Sequence, residues 1–393
     1  MKKFTFILFF TAYYGIAQNT NLSAVVLDAE TKIPIPNVSI YFEQDPSNSL
    51  IGTISNEEGK FTISSINKKL IFSHVNYDPF TLNMTSDVRE VYLTPKTYIL
   101  DEIVISNENP KVYLARIINN SLSSFDSHTL FKGYCRESVK IKDRLTKFSD
   151  ALINFYVKKG KNKSKSLFVE QSRAFYNPEI EVNNENDPGS INSVYNVQDI
   201  IAEAYSLNYL SKLIAKSENW EYVRKIKKSN TGEEIELVEL VPNPATEKLL
   251  LCGYLIINPK TQKLLEYKIT FSENHIKFAK EINLFSIKFK ALKFLVWVKF
   301  KELNGQNIVT YYQKDVGFHV NFNNKFEGNS EFKNELFIYE QQPIDKLPLK
   351  LYFKTSIFEA GTNFSEEYWN KYNISPFSQE ELNFIENVGK LTK

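Results

Sequence analysis

The chain has 393 residues, more than one hydrophobic core usually supports, so two folded units are expected. Hydrophobic residues at 42% and charged residues at 24% exclude a disordered or collagen-like chain, and aromatics at 14%, with 30 Phe and 22 Tyr, favour pleated sheet. The net charge of +2 is too small for a nucleic-acid surface and is split unevenly: residues 18–106 hold 6 Lys plus Arg against 11 Asp plus Glu, residues 107–393 hold 40 against 35.

Lys2 and Lys3 precede an apolar run from Phe4 to Phe10 that continues to Tyr14, followed by the small residues Gly15 and Ala17. This is the pattern of a secretory signal peptide over 1–17, cleaved after Ala17, and it predicts an exported protein, periplasmic or associated with the outer membrane. Lipid attachment has no acceptor close to that site, since the first cysteine is Cys135. No later window of 18 residues lacks charge, so no transmembrane helix is expected in the mature chain. Export permits a bridge between Cys135 and Cys252, but two cysteines set no spacing pattern, and their state stays open.

From 22 to 106, short apolar alternations are cut by turn residues, the signature of a sandwich of short strands. Val25 and Leu27 alternate, Pro34 to Pro36 interrupt, and Val38, Ile40 and Phe42 alternate again. Asn56 to Gly59 reads as a hairpin turn in which Gly59 supplies positive φ. Phe61 and Ile63, Leu70 and Phe72, then Val91 and Leu93 complete the series.

The run Val26 to Ile40, then Thr53 to Phe61, then Ile71 to Tyr77, resembles the carboxypeptidase regulatory-like domain of Gram-negative envelopes. The resemblance implies a prealbumin-like sandwich of about seven strands over 18–106, without catalytic residues of its own. Ala24 and Asn76 stand where that family usually has glycine. Leu100 to Ser106 is similar to the stretch that follows this domain in TonB-dependent receptors, but a barrel of about 22 strands needs several hundred residues more than remain.

Residues 107–393 are expected to form a larger domain. Lys111 to Phe125 has helical apolar spacing, and strands follow at about 130–141, 146–157 and 166–175, with a lysine-rich tip at Lys158, Lys159, Lys161, Lys163 and Lys165. Residues 178–194 read as a loop, and Asn196 as the cap of a second helix from Asp199 to Lys216. Leu251 to Ile257 and Leu265 to Phe271 form a hairpin around Asn258 to Thr261; Leu265, Tyr267, Ile269 and Phe271 share one face, with Glu266, Lys268 and Thr270 on the other. Phe294, Val296, Val298 and Phe300 are out of phase with Ile287, Phe289 and Ala291, which predicts a bulge near Ala291-Leu292. Asn304-Gly305 reads as a two-residue turn into Ile308 to Tyr312, and Ser378 with Glu381 as the capping box of a helix running to Val388.

The expected fold is therefore mainly β: a prealbumin-like sandwich, then a larger antiparallel β-rich α+β domain with a few helices. Its hairpin order is similar to the half-barrel of lipoprotein-carrier proteins, in which a cavity would suit an acyl chain or apolar peptide.

The search for chemistry singles out no catalytic, cofactor-binding or metal-binding residue. His74, His128, His275 and His319 are scattered, with no H-E-x-x-H spacing. No G-x-S-x-G elbow or phosphate loop occurs, S-x-x-K appears only at Ser65-Lys68 and Ser330-Lys333, and the pairs Glu233-Glu234, Glu366-Glu367 and Glu380-Glu381 are adjacent residues that diverge in a strand or helix. The lysine tip could contact anionic lipid or polysaccharide, and Trp220, Trp297 and Trp369 could line a cavity or glycan platform, but a solvated loop and core packing are the preferred readings. The sequence thus points to a non-catalytic, cofactor-free envelope protein binding an unidentified ligand, with an envelope protein, lipid or glycan as partner class. A small outer-membrane barrel, a TonB-dependent-transport accessory and a hydrolase of envelope polymers stand as alternatives.

Overall fold

The computed structural model describes residues 21–391 except 44–51, 65–68, 84–87, 105–107, 126–128, 158–164, 178–195, 230–231, 285–286, 304, 323–325, 345–355, 361, 370–371 and 373. It is mainly β, with a small two-sheet unit at the N-terminal end and one large antiparallel sheet.

The small unit packs β1 (Asn21–Asp28), β4 (Lys60–Ser64) and β7 (Glu90–Leu93) against β2 (Ser39–Phe42), β3 (Gly52–Ile54), β5 (Lys69–His74) and β6 (Tyr77–Asn83). Alternate residues of both sheets meet inside: Val26, Val38, Ile40, Phe61, Ile63, Leu70, Phe72 and Leu93 are all at most 1% exposed. Gly59 has φ 70°, as its turn requires, and a Cβ there would stand 2.5 Å from the Val26 carbonyl oxygen.

The chain then leaves the sandwich. β8 (Tyr98–Ile103) pairs with β12 (Trp220–Ser229) of the large sheet. From β8 the sheet continues through β12, β13 (Glu234–Pro242), β14 (Leu251–Asn258), β15 (Lys263–Phe271), β17 (Ile287–Leu303), β18 (Gln306–Phe322), β19 (Phe326–Pro343), β9 (Thr129–Ile141), β10 (Arg144–Val157) and β11 (Lys165–Tyr176), with short β16 (Glu281–Leu284) added on β17. β8 and β11 end this path unpaired to each other, so among the described strands the sheet is open and the small-barrel alternative has no support.

Helices cover one face. α1 (Pro110–Ser123) starts at Asn109, whose side chain accepts from the Lys111 N–H, and buries Tyr113, Leu114, Ile117 and Ile118. The helix expected from Asp199 to Lys216 is two: α2 (Val197–Ser206), capped by Asn196 as expected, and α3 (Asn208–Ala215). Between them Leu207 takes φ 51°, a strain of about 1–2 kcal/mol for a branched residue, which its complete burial offsets. Under these helices lie Val296 and Val298 of β17, Tyr267 and Ile269 of β15, Tyr312 of β18 and Phe155 of β10. The fully buried rings of Tyr205, Tyr267 and Tyr312 lie between the helices and the sheet.

The hairpin of β14 and β15, the shift at Ala291/Lys293 and the pairing of Leu303 with Gln306 all follow the sequence pattern. One phase differs. A bulge between Ile256 and Ile257 puts Leu264 in the core in place of Leu265. Leu264's N–H is taken by Ser121 Oγ of α1 at 2.9 Å and its carbonyl by Asn307 Nδ2 at 3.2 Å.

The C-terminal segment passes from one face to the other. α4 (Ile357–Ala360) buries Ile357 on the helix side, Asn363 pairs with Ser172 at the β11 edge, and α5 (Glu366–Trp369) buries Trp369 on the opposite face. α6 (Gln379–Leu391) then lays Phe384 and Val388 against Leu145 and Phe148. Its capping box forms as predicted, Ser378 N–H donating to Glu381 at 2.7 Å and Glu381 N–H to Ser378 Oγ at 3.2 Å.

Candidate functional site

The sheet's second face carries charge and is nevertheless covered. In cross-strand register, Arg173, Asp150, Arg136, Glu335, Gln313, Trp297 and Lys268 stand side by side on seven successive strands. Direct neighbours on one face of a sheet are close enough to interact, and here their charges largely alternate. Asp150, 0% exposed, accepts from both Arg173 and the Tyr134 hydroxyl. Arg136 donates to Tyr134 Oη at 2.7 Å, to the Ser375 and Pro376 carbonyls and to Glu381. Burial works against the Arg136 charge, but Tyr134, Glu381 and Glu335 outweigh it and hold the guanidinium protonated.

The sandwich seats on this face. Ile54 of β3, 3% exposed, packs among Tyr134, Trp297, Tyr311 and Phe337. Around it Lys299 donates to the Asn37 carbonyl at 2.6 Å, Lys333 pairs with Glu57 at 2.7 Å, Asn56 donates to the Phe377 carbonyl at 3.1 Å, and Glu58 accepts from the Gln379 N–H at 2.6 Å.

Two cavities stand out in the seam among the described residues. The smaller, about 280 Å³, lies among Arg136, Lys333, Glu335 and Glu381. The larger, about 460 Å³, is bounded by Ser39, Tyr41, Thr53, Ser73 and His74 of the sandwich and by Glu266, Lys299, Lys301, Glu302 and Thr310 of the sheet, with Lys96 and Glu233 at one end. That volume is in the range of small-molecule sites. Each carboxylate lining it is already engaged: Glu233 with Lys96, Glu234 with Lys228, Glu266 with Tyr254 Oη and Trp297 Nε1, Glu302 with Lys263. Lys299 and Lys301 have no such partner. Among the described residues neither forms an ion pair, and Lys301 Nζ lies 3.3 Å from the centroid of the Tyr41 ring. Burial lowers the pKa of both amines, Lys301 to about 8, while Glu266 partly restores Lys299. His74 is pushed down to about 3 by burial and then by Lys299, Lys268 and Lys96, so its ring is neutral at ordinary pH. Thr53, 1% exposed, leaves its hydroxyl without a hydrogen bond among the described residues.

Which family supplies the module that closes this seam is decided by residues 22–105. They match the CarboxypepD_reg-like domain. The regulatory-like domain so defined reaches through β8, so its last strand is the one that joins the large sheet. No curated protein matches the chain significantly. Among solved structures, a DUF1329 family protein from Desulfovibrio piger is 8% identical with a TM-score of 0.24, covering 61% of this chain and 96% of its own. Lipovitellin is 8% identical with a TM-score of 0.26, covering 62% of this chain and 28% of its own. A protein of unknown function from Bacteroides fragilis, described as membrane-associated, is 10% identical with a TM-score of 0.15, covering 81% and 97%. At such scores these likenesses carry no functional argument.

The residues that drew attention in the sequence are mostly elsewhere. Of the histidines, His74 of the regulatory-like domain lines the larger cavity, His275 is bonded to Ser272 Oγ at 2.9 Å, His319 faces Asn329 and Glu327, and His128 lies outside the described residues. Ser272 and His275 are buried, 6% and 3% exposed, and line neither seam cavity; they fasten the turn after β15. No group of three His, Cys, Asp or Glu that could hold a metal ion occurs among the described residues. Cys135 and Cys252 are both free thiols. The lysine tip at 158–164, Ser65-Lys68 and the signal-peptide segment fall outside the described residues, while Ser330 and Lys333 sit on β19. Trp220 donates to the Leu251 carbonyl within the helix-side core, and Trp297 and Trp369 pack in the seam cluster. Lys299 and Lys301 were not foreseen, because alternation with Val298 and Phe300 reads as an ordinary solvated strand face.

Proposed function

We propose that this is an exported, non-catalytic cell-envelope protein whose regulatory-like domain is a docked module that closes a binding cavity for a small anionic ligand. The observation that carries the reading is the imbalance in the larger cavity: every lining carboxylate is engaged elsewhere, while Lys299 and Lys301 hold their amines in low-dielectric surroundings without an ion-pair partner among the described residues. A buried ammonium without a partner is costly, and an anion entering between the two would supply what the protein withholds. Export rests on the sequence of residues 1–17, and the absence of a catalytic role on that of any reactive group singled out by sequence or by the seam.

The test uses native mass spectrometry of the full mature chain purified from envelope extracts, then calorimetry with inorganic phosphate and with glutarate as probes. We expect a co-purifying small anion or a measurable probe affinity, weakened about tenfold or more by Lys301→Met, in line with the loss of a charge-assisted bond. Binding near pH 8 to 9 should take up protons, since the anion raises the Lys301 pKa from its depressed value of about 8. A wild-type chain that carries nothing and binds neither probe sinks the reading.

A further inference from the structure

The helices run out before the sheet does. On β18 the side chains of Tyr312, Val316, Phe318, Val320 and Phe322 share the helix-facing side, and the bulge at Ala291 brings Phe289 and Ile287 of β17 onto that side opposite Val320 and Phe322. β16 extends the same surface, with Ile282 opposite Phe289 and Leu284 opposite Ile287. Cover by α3 reaches Phe294, whose ring stacks on Tyr209 at 5.2 Å. Past that point Val320 and Phe322 are still buried and Ile287 and Phe289 half-buried, but the β16 edge lies open: Ile282 and Leu284 are each 54% exposed.

The same bulge turns Lys288 and Lys290 to the opposite side, exposed. Lys277 and Lys280 lead into β16 and are exposed as well. Segment 277–290 thus carries four lysines against one carboxylate, Glu281, which lies 3.8 Å from Lys288. Nearby, Lys293 is paired with Glu331, Lys142 lies over the Phe326 ring, and His319 faces Glu327. Among the described residues Lys280 and Lys290 form no ion pair.

From this arrangement we infer that the hairpin of β16 and β17 is a membrane-surface anchor: Ile282 and Leu284 enter the headgroup region of an anionic bilayer while the flanking lysines contact its phosphates. An exposed apolar pair at a sheet edge, with lysines leading into it and on the reverse side of the neighbouring strand, matches such a surface in both hydropathy and charge, whereas a protein core or a neutral interface would leave the lysines desolvated. The inference is independent of the seam ligand and concerns the other face of the sheet.

Sedimentation of the full mature chain with vesicles decides it, comparing phosphatidylcholine mixed with phosphatidylglycerol against phosphatidylcholine alone. Wild type should bind the mixed vesicles, release in high salt, and bind the neutral ones weakly. Ile282→Asp with Leu284→Asp should lower binding about tenfold or more, and Lys288→Gln with Lys290→Gln should lower it several-fold and flatten the salt dependence. All four side chains are at the surface, so an unchanged thermal transition certifies folding. The inference is overturned if wild type ignores both vesicle types, if the aspartate variant binds as well as wild type, or if the hairpin instead drives self-association without lipid binding.

Discussion

The two faces of the large sheet are built from the same strands and solve burial in opposite ways. Toward the helices, Val296, Val298, Tyr267, Ile269 and Phe155 fill the space with apolar atoms, and only a few polar groups such as Ser121 are admitted to bond a bulge. Toward the regulatory-like domain, Asp150, Arg136, Gln313 and Glu266 are buried as well but are held by ion pairs and hydrogen bonds. Apolar packing stabilises without choosing among partners, whereas paired charges add little net stability and specify geometry. The helix side therefore explains why the sheet folds. The other side explains why the sandwich sits where it does.

Asp150→Ala is the sharpest way to break this contrast. It strands the Arg173 guanidinium without its carboxylate and the Tyr134 hydroxyl without its acceptor, and we expect a loss of about 3–5 kcal/mol in urea unfolding. Asp150→Leu combined with Arg173→Met should cost less than that single change, because no charge is left uncompensated; a double variant as unstable as the single one would show that the pair stabilises on its own account. On the helix side, Ser121→Ala leaves the Leu264 N–H buried without its acceptor and should cost about 1–3 kcal/mol by the same measurement. The smallest change, and one of opposite sign, is expected at Lys301. Its pKa is lowered in the fold, so between about pH 8 and the ordinary lysine value the unfolded chain binds more protons and stability rises with pH. Lys301→Met should accordingly raise the melting temperature at pH 7, and the gain should shrink as pH rises through that window. A gain that grows with pH would refute the assignment of burial as the cause.

The contrast also marks what could be read before the structure. Local order was legible: the alternation of Tyr267 and Ile269, the phase change at Ala291, the capping box at Ser378 and the cap at Asn196 all declare themselves within a few residues. Leu264 was mistaken for Leu265 because the bulge that shifts the phase depends on the partner strand, and the break at Leu207 was hidden because leucine rarely adopts positive φ. The candidate site was not legible at all. It depends on β9 pairing with β19, on a sandwich near the start of the chain covering Lys299, and on residues 375–381 reaching Arg136, and no periodicity encodes such distant meetings.

The connection through β8 bears on how firmly the sandwich must hold. Residues 94–97 alone separate the strand that ends its fold from the strand that joins the sheet, so the sandwich cannot diffuse away when its contacts part. Its reattachment is a first-order event at an effective concentration of about millimolar order, the usual figure for a short tether. Contacts too weak to keep two separate molecules together are then sufficient to keep the seam shut.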